Sequence, residues 1–282
     1  MSEVTAEVLF AVLLGAALHA SWNAAIKAGT DKFMDTVLLA AGAAIIALAL
    51  LLFLPVPAVA SWGYIAVAST AQVIYYFLVA AAYRAGDMSV AYPLMRGTAP
   101  ILVAIAGVFL LGDDLSILAW IGIACISGGV ISLSLGSLRS RATSQVVLYA
   151  VLNSAVIASY TLIDGAGVRA SGNSLAYTCW ITLLPAGPLL AFAALRRPKD
   201  LGRQIVHRWY LGVITGACTM GSYGLALWAM TQAPVASVAA LRETSIVFGM
   251  AIAAWFLGER LSTPRILAAV GVALGAITLK LA

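Results

Sequence analysis

Charge is what this sequence has least of. Asp, Glu, Lys and Arg make up 10% of its 282 residues, against 63% hydrophobic residues and a mean hydropathy of +1.02, where water-soluble domains carry about 25% charged residues. That shortage excludes a water-soluble enzyme and a disordered chain. It excludes a nucleic-acid binder too, because the 16 Lys and Arg residues, for all their net charge of +5, never form a basic stripe. Cysteine is scarce: Cys125, Cys179 and Cys218 are odd in number, sit in apolar runs, and show no metal-ligand spacing. With two histidines, His19 and His207, no metal centre is expected. GxSxG and HExxH are both missing, which leaves a serine hydrolase or a zinc protease without its machinery. No cofactor is expected.

What is there is apolar length. A bilayer core of roughly 30 Å takes about 20 apolar residues per helix, and Gly, Pro and charge divide the chain into ten such runs, near 7–27, 34–54, 61–83, 89–111, 116–136, 146–165, 174–195, 209–230, 235–257 and 264–281. Barrel strands would alternate polar and apolar residues, and these runs are apolar all round. The stretch Met1–Glu7 is acidic where a signal peptide needs a basic segment, so the first run is expected to stay as a helix. One connection is long and polar, 196–208. The fold class is therefore an all-α integral membrane protein.

The runs repeat. Leu111-Gly-Asp-Asp-Leu-Ser116 matches Leu257-Gly-Glu-Arg-Leu-Ser262 at an offset of 146 residues, which also lays Arg96 on Arg242 and Cys125-x-x-x-Gly129 on Gly271-x-x-x-Gly275. Earlier in each half an offset of 138 pairs Ala20-Ser-Trp-Asn23 with Ala158-Ser-Tyr-Thr161. The expected units are 1–141 and 142–282, each of five helices. An odd helix number forces the two into opposite orientations, an inverted repeat with a binding site at mid-membrane between them.

Basic residues are unequally shared between the two faces. Loops 1–2, 3–4, 5–6, 7–8 and 9–10 carry Lys27, Lys32, Arg84, Arg139, Arg141, Arg196, Arg197, Lys199, Arg203, Arg208, Arg260 and Arg265; the other face carries Arg169 and Lys280. Positive-inside counting makes the first face cytoplasmic and both termini extracytoplasmic.

Arg96 and Arg242 belong to neither face. An Arg at a helix centre costs about 2.5–3.5 kcal/mol to insert, so each is expected to face a cavity or a partner. Two roles are open: an ion-paired strut, with Glu243 or Glu259 neutralising Arg242, or a guanidinium fork for the carboxylate or phosphate of a solute. Glu243 is in turn a proton carrier or a counterion. His19, Trp22 and Asn23 share one helix face, with His19 open to helix contact, solute contact or proton relay. Tyr75, Tyr76 and Tyr223 fall at mid-helix, where a hydroxyl needs a partner. With Tyr160 and Trp228 they complete the expected cavity wall, while Trp62, Tyr64, Trp120, Tyr149, Trp209 and Tyr210 are assigned to the interfacial belt. Gly212-x-x-x-Gly216 and Gly271-x-x-x-Gly275 permit close helix approach.

The duplicated five-helix halves, the Leu-Gly-acid-x-Leu signatures, Tyr92-Pro93 at the start of helix 4 and Ala20-Ser-Trp-Asn23 resemble the drug/metabolite transporter superfamily, in particular its ten-helix EamA family. The resemblance implies a secondary transporter working by alternating access, most of all an exporter of amino acids of the aromatic type. Carriers of phosphorylated or drug-like solutes are the alternative, and an intramembrane enzyme a more distant one. It implies an inner-membrane location and, as partners, a small-molecule solute, membrane lipid and protons, in a monomer or homodimer. The sequence departs from the family in lacking an Arg in helix 2 and in having Ile246 where Pro100 would repeat. Many family members are drawn with cytoplasmic termini; the basic-residue count here points the other way and is kept.

Overall fold

The computed structural model describes residues 4–135, 143–256 and 261–282, and all regular structure among them is helical. Arg139, Arg141, Glu259, Arg260 and the first part of the second Leu-Gly-acid signature lie outside the described residues. The helices are α1 (Ala6–Ala28), α2 (Lys32–Leu51), α3 (Trp62–Ala85), α4 (Met88–Leu110), α5 (Ile117–Ser132), α6 (Ser144–Ala170), α7 (Ser174–Arg196), α8 (Pro198–Gln232), α9 (Val235–Arg242), α10 (Ser245–Phe256) and α11 (Thr263–Lys280). Nine spans are long and apolar enough to cross a membrane, α9 and α10 together forming one of them, and the shorter apolar α5 makes the tenth. The protein is a ten-span helical membrane protein built as two inverted five-helix repeats.

Polar side chains set where these helices begin. The backbone N–H groups of Val8, Met34, Ser89, Ala119, Val146 and Ala176 donate to the side chains of Thr5, Asp31, Asp87, Ser116, Thr143 and Asn173, satisfying donors that a helix start leaves orphaned. Two elements differ from the sequence expectation. The polar stretch 196–208 is not a loop: Pro198 opens a helical turn with Asp200 in it, and Leu201 packs against the cluster of Met34, Val37 and Ala193. This lead-in joins the span proper at Arg208, whose φ of −133° breaks the helix. The ninth span is likewise interrupted, at Glu243 and Thr244, where one turn is bonded over three residues instead of four.

Each half completes the other. The first helix of one packs against the third and fourth of its counterpart, α3 and α4 on α6, α8 and α10 on α1, and the fifth helices α5 and α11 pair together. Two seams between the halves, α5 with α11 and α2 with α8, run backbone to backbone. A Cβ on Gly122 would lie 2.9 Å from the Gly275 carbonyl oxygen, and one on Gly212 2.6 Å from that of Leu38, beside Gly42. In lipid, where apolar area gives helices no reason to prefer each other over acyl chains, such close approach is what holds them. The α2–α8 seam is extensive, whereas its symmetry equivalent, α7 with α3, is slight.

Gly216→Ala places a methyl against the backbone of Gly42 and Ala43, so it should destabilise the detergent-solubilised protein by about 1–3 kcal/mol. Gly63→Ala, with open space at its Cβ, should leave it as stable or slightly more so. Thermal unfolding of the two variants in parallel checks this.

Candidate functional site

Between the halves lies a cavity of about 200 Å³, lined from α1, α2, α3, α4, α6, α7, α8 and α9. Its wall includes His19, Trp22, Tyr75, Tyr76, Arg96, Tyr160, Tyr223 and Arg242, together with Gln72, Thr182 and Ser222. Two of the residues singled out in the sequence stand elsewhere. Asn23 donates its amide to the His19 carbonyl of its own helix at 2.9 Å. Trp228 lines a separate apolar groove with Leu50 and Leu175, between α2, α7 and α8.

The two arginines, equivalent in sequence, differ in environment. Arg96 forms a two-point ion pair with Glu243, Nη2 to Oε1 at 2.8 Å and Nε to Oε2 at 3.0 Å. The pair joins α4 to the break after α9, hence one half to the other. Glu243 does not neutralise its neighbour Arg242. Consecutive helical residues point about 100° apart, and Arg242 turns instead over the Tyr223 ring, its guanidinium carbon 5.0 Å from the centroid. Among the described residues Arg242 makes no ion pair. The repeat explains the difference: Gly97 stands at the position equivalent to Glu243, so one of two related arginines received a carboxylate and the other did not.

A second feature was not singled out in the sequence. Asp164 is fully buried. It accepts hydrogen bonds from the Tyr177 hydroxyl at 2.8 Å and from the Tyr223 hydroxyl, and the Gln72 side chain faces it from α3. The sequence reading ended the sixth span at 165, where a carboxylate would meet water; α6 continues to Ala170. The signal available was an Asp inside the apolar run from Tyr160 to Val168.

Aromatic rings fill much of the remaining wall. His19 meets Trp22 edge to face at 4.9 Å, and Tyr75 meets Tyr76 and Tyr160 in the same manner at 5.4 and 6.1 Å. The indole N–H of Trp22 is buried and has no hydrogen-bond partner among the described residues. With Arg242, which makes no ion pair among them, it gives the cavity wall two donors without an acceptor.

The cavity is one-sided. Trp62, assigned from sequence to the interfacial belt, packs edge to face on Trp180 at 4.9 Å and joins the start of α3 to α7. Nearby, Arg169 donates to the carbonyls of Met230 and Ala233 at 2.8 and 3.0 Å and stands 3.9 Å from Asp113. Burial pushes the Asp113 carboxyl up from its ordinary value, against the pull of Arg169 and of the N–H groups that open α9. Beyond this plug the lining runs to Thr36, near the start of α2, and to Leu189, toward the end of α7. The opening thus faces the side rich in basic residues. There, α2 is held to the second half by Asp35 with Arg208 at 2.9 Å and by Asp31 with Arg197 at 2.6 Å. The hydrogen bond from Arg197 holds the Asp31 carboxyl below its usual range.

A ten-span inverted repeat enclosing a polar cavity with two free donors is the architecture of a membrane carrier. Comparison agrees. The sequence model of the EamA-like transporter family matches residues 6–135 and again 144–281. The chain belongs to the EamA-like transporter family, and so is a transporter of the drug/metabolite superfamily. Among 27 matching chains of solved structures, one crystal structure aligns over 97% of this chain and 95% of its own, with a TM-score of 0.75 at 16% identity; at that identity the likeness is one of fold. A search of curated proteins finds no match.

Glu243→Gln leaves Arg96 buried without its counterion and should destabilise the protein by about 3–5 kcal/mol. Removing both charges, Arg96→Gln with Glu243→Gln, should recover a large part of that loss. Thermal unfolding of the single and double variants measures the difference; equal loss in both would mean the pair is not what holds the halves.

Proposed function

We propose that the protein is a secondary transporter that exports amino acids or related small metabolites by alternating access through the central cavity between the two repeats, residues 1–141 and 142–282. The observation that carries this reading is Arg242: a guanidinium in a central cavity, with no ion pair among the described residues, beside the unpartnered Trp22 indole N–H. A carboxylate supplies what both lack. Charge-assisted hydrogen bonds of this kind contribute about 1.5–3 kcal/mol, and the fork of Arg favours a planar two-oxygen acceptor. The rings of Tyr75, Tyr76 and Tyr160 offer apolar contact to a side chain, which favours solutes of the aromatic amino-acid type. Arg96, held by Glu243, shapes the wall. Plugged on one side and open on the other, the cavity corresponds to one of the two states such a cycle requires. The open face, being basic, is read as cytoplasmic, a reading that goes with an inner-membrane location and with both termini outside.

Counterflow in proteoliposomes with labelled amino acids and sugar phosphates tests the reading. Exchange of aromatic amino acids is expected, and Arg242→Lys, which keeps the charge and loses the fork, should weaken apparent affinity by about tenfold or more. No exchange of any amino acid by well-folded protein rejects the substrate class. Cysteines placed singly at 199–207 should be labelled from the cytoplasm alone; labelling from outside reverses the topology.

A further inference from the structure

The geometry points to Asp164 as the residue that takes up and releases a proton during the cycle, with Tyr223 conveying its state to the anion-binding end of the cavity. This inference rests on the transporter reading above and adds a coupling ion to it.

Asp164 stands one hydrogen bond behind the cavity wall. It is fully buried, and Tyr223, which lines the cavity, donates its hydroxyl to Oδ2. The groups facing the carboxylate are Tyr177 from α7, Gln72 from α3, Tyr223 from α8 and, on its own helix, Tyr160. Among the described residues no cationic side chain forms an ion pair with it. The charge closest in effect is Arg242 of α9, which lies against the ring of that same Tyr223. Arg96 and Glu243 satisfy each other. One tyrosine therefore touches both Arg242 and Asp164, a cation and a carboxyl that make no ion pair among the described residues.

The hydroxyl of Tyr223 has one hydrogen to give. While Asp164 is ionised, that hydrogen is spent on Oδ2. When a proton from water in the cavity reaches Asp164, Oδ2 becomes O–H and donates to the Tyr223 oxygen, and the tyrosine hydrogen is free to turn into the cavity. A solute carboxylate then meets Tyr223 as well as Arg242 and Trp22. The proton leaves as it came, to water, when the cavity opens to the other side and the tyrosine hydrogen returns to Oδ2. Since the anion finds an extra donor only when Asp164 is protonated, anion and proton favour each other's binding, and the linkage is reciprocal. Arg242 adds the same sign: an anion neutralising it withdraws the positive charge that favours an ionised Asp164. A monocarboxylate such as benzoate and one proton thus cross together, the cavity carrying the same net charge full and empty; a zwitterionic amino acid crosses with one added positive charge, so its export draws on its own concentration gradient and not on the proton's.

The test uses the full chain in lipid nanodiscs with benzoate and phenylalanine as probes. Infrared difference spectra should show a carboxylic-acid C=O band that grows on acidification and on adding probe. Asp164→Asn should remove the band; Asp164→Glu, which keeps the carboxyl, should shift it and covers the event that the Asn variant misfolds. A pH indicator in weak buffer should register close to one proton taken up per probe bound. On the alkaline side, affinity should fall by up to about tenfold per pH unit. Tyr223→Phe should keep the band but uncouple it from probe binding. A band that does not depend on Asp164 at any pH, or wild-type probe binding without proton uptake, overturns the proposal. Failure of the wild type to bind or exchange any probe counts against the substrate reading separately, and the infrared titration then stands or falls on Asp164 alone.

Discussion

A guanidinium from one half of the chain meets a carboxylate from the other near the centre of an apolar slab, and most of the arrangement depends on that contact. Arg96 and Glu243 are each too costly to leave alone in hydrocarbon. The two-point pair at 2.8 and 3.0 Å fixes α4 against the break that follows α9. That break puts Glu243 at the end of a short helix instead of inside a continuous one, where its side chain would follow the next turn. With α4 and α9 set, the surrounding helices, each packed against members of the opposite half, enclose the space between them. At mid-membrane the repeats meet through this polar pair, and the cavity lies beside it.

Ion pairs across the halves recur toward each face. Asp31 and Asp35 meet Arg197 and Arg208 on one side, and Asp113 approaches Arg169 on the other. The Asp31–Arg197 pair is half-exposed on both sides and can open to water at little cost, since exposed ion pairs are worth about 0–1 kcal/mol, whereas Asp35 and Asp113 are buried against arginines that reach the surface. The central pair is sequestered and has no such freedom.

Much of this was legible in the sequence because lipid simplifies the code. Ten apolar runs, an internal offset of 146 residues and two arginines out of place lead directly to an inverted repeat with a central site. Misreadings arose where a residue's meaning depends on a partner far away in sequence. Glu243 next to Arg242 leaves a local neutral pair open as one of two readings, yet adjacent residues on a helix diverge, and the Glu243 carboxylate meets Arg96, 147 positions distant. Asp164 reads as the edge of a span because nothing in 146–165 shows that the helix runs to Ala170 and carries the carboxylate inward. The stretch 196–208 reads as a loop because its polar residues outnumber its apolar ones. Leu201 is enough to seat it once Met34 and Val37 offer a surface.

The glycine seam between α2 and α8 has no twin. At the equivalent places the first half offers Ala66 and Thr70, and α7 has larger side chains, so α3 and α7 cannot approach backbone to backbone as Gly42, Gly212 and Gly216 allow. A molecule whose two halves descend from one pattern is therefore not a symmetric balance. Shutting the basic side would require a thicker joint than the one now closed between α2 and α8, and every 1.4 kcal/mol of that difference shifts occupancy tenfold toward the state in which the basic side is open. On the alternating-access reading such a carrier spends most of its time with the basic side open.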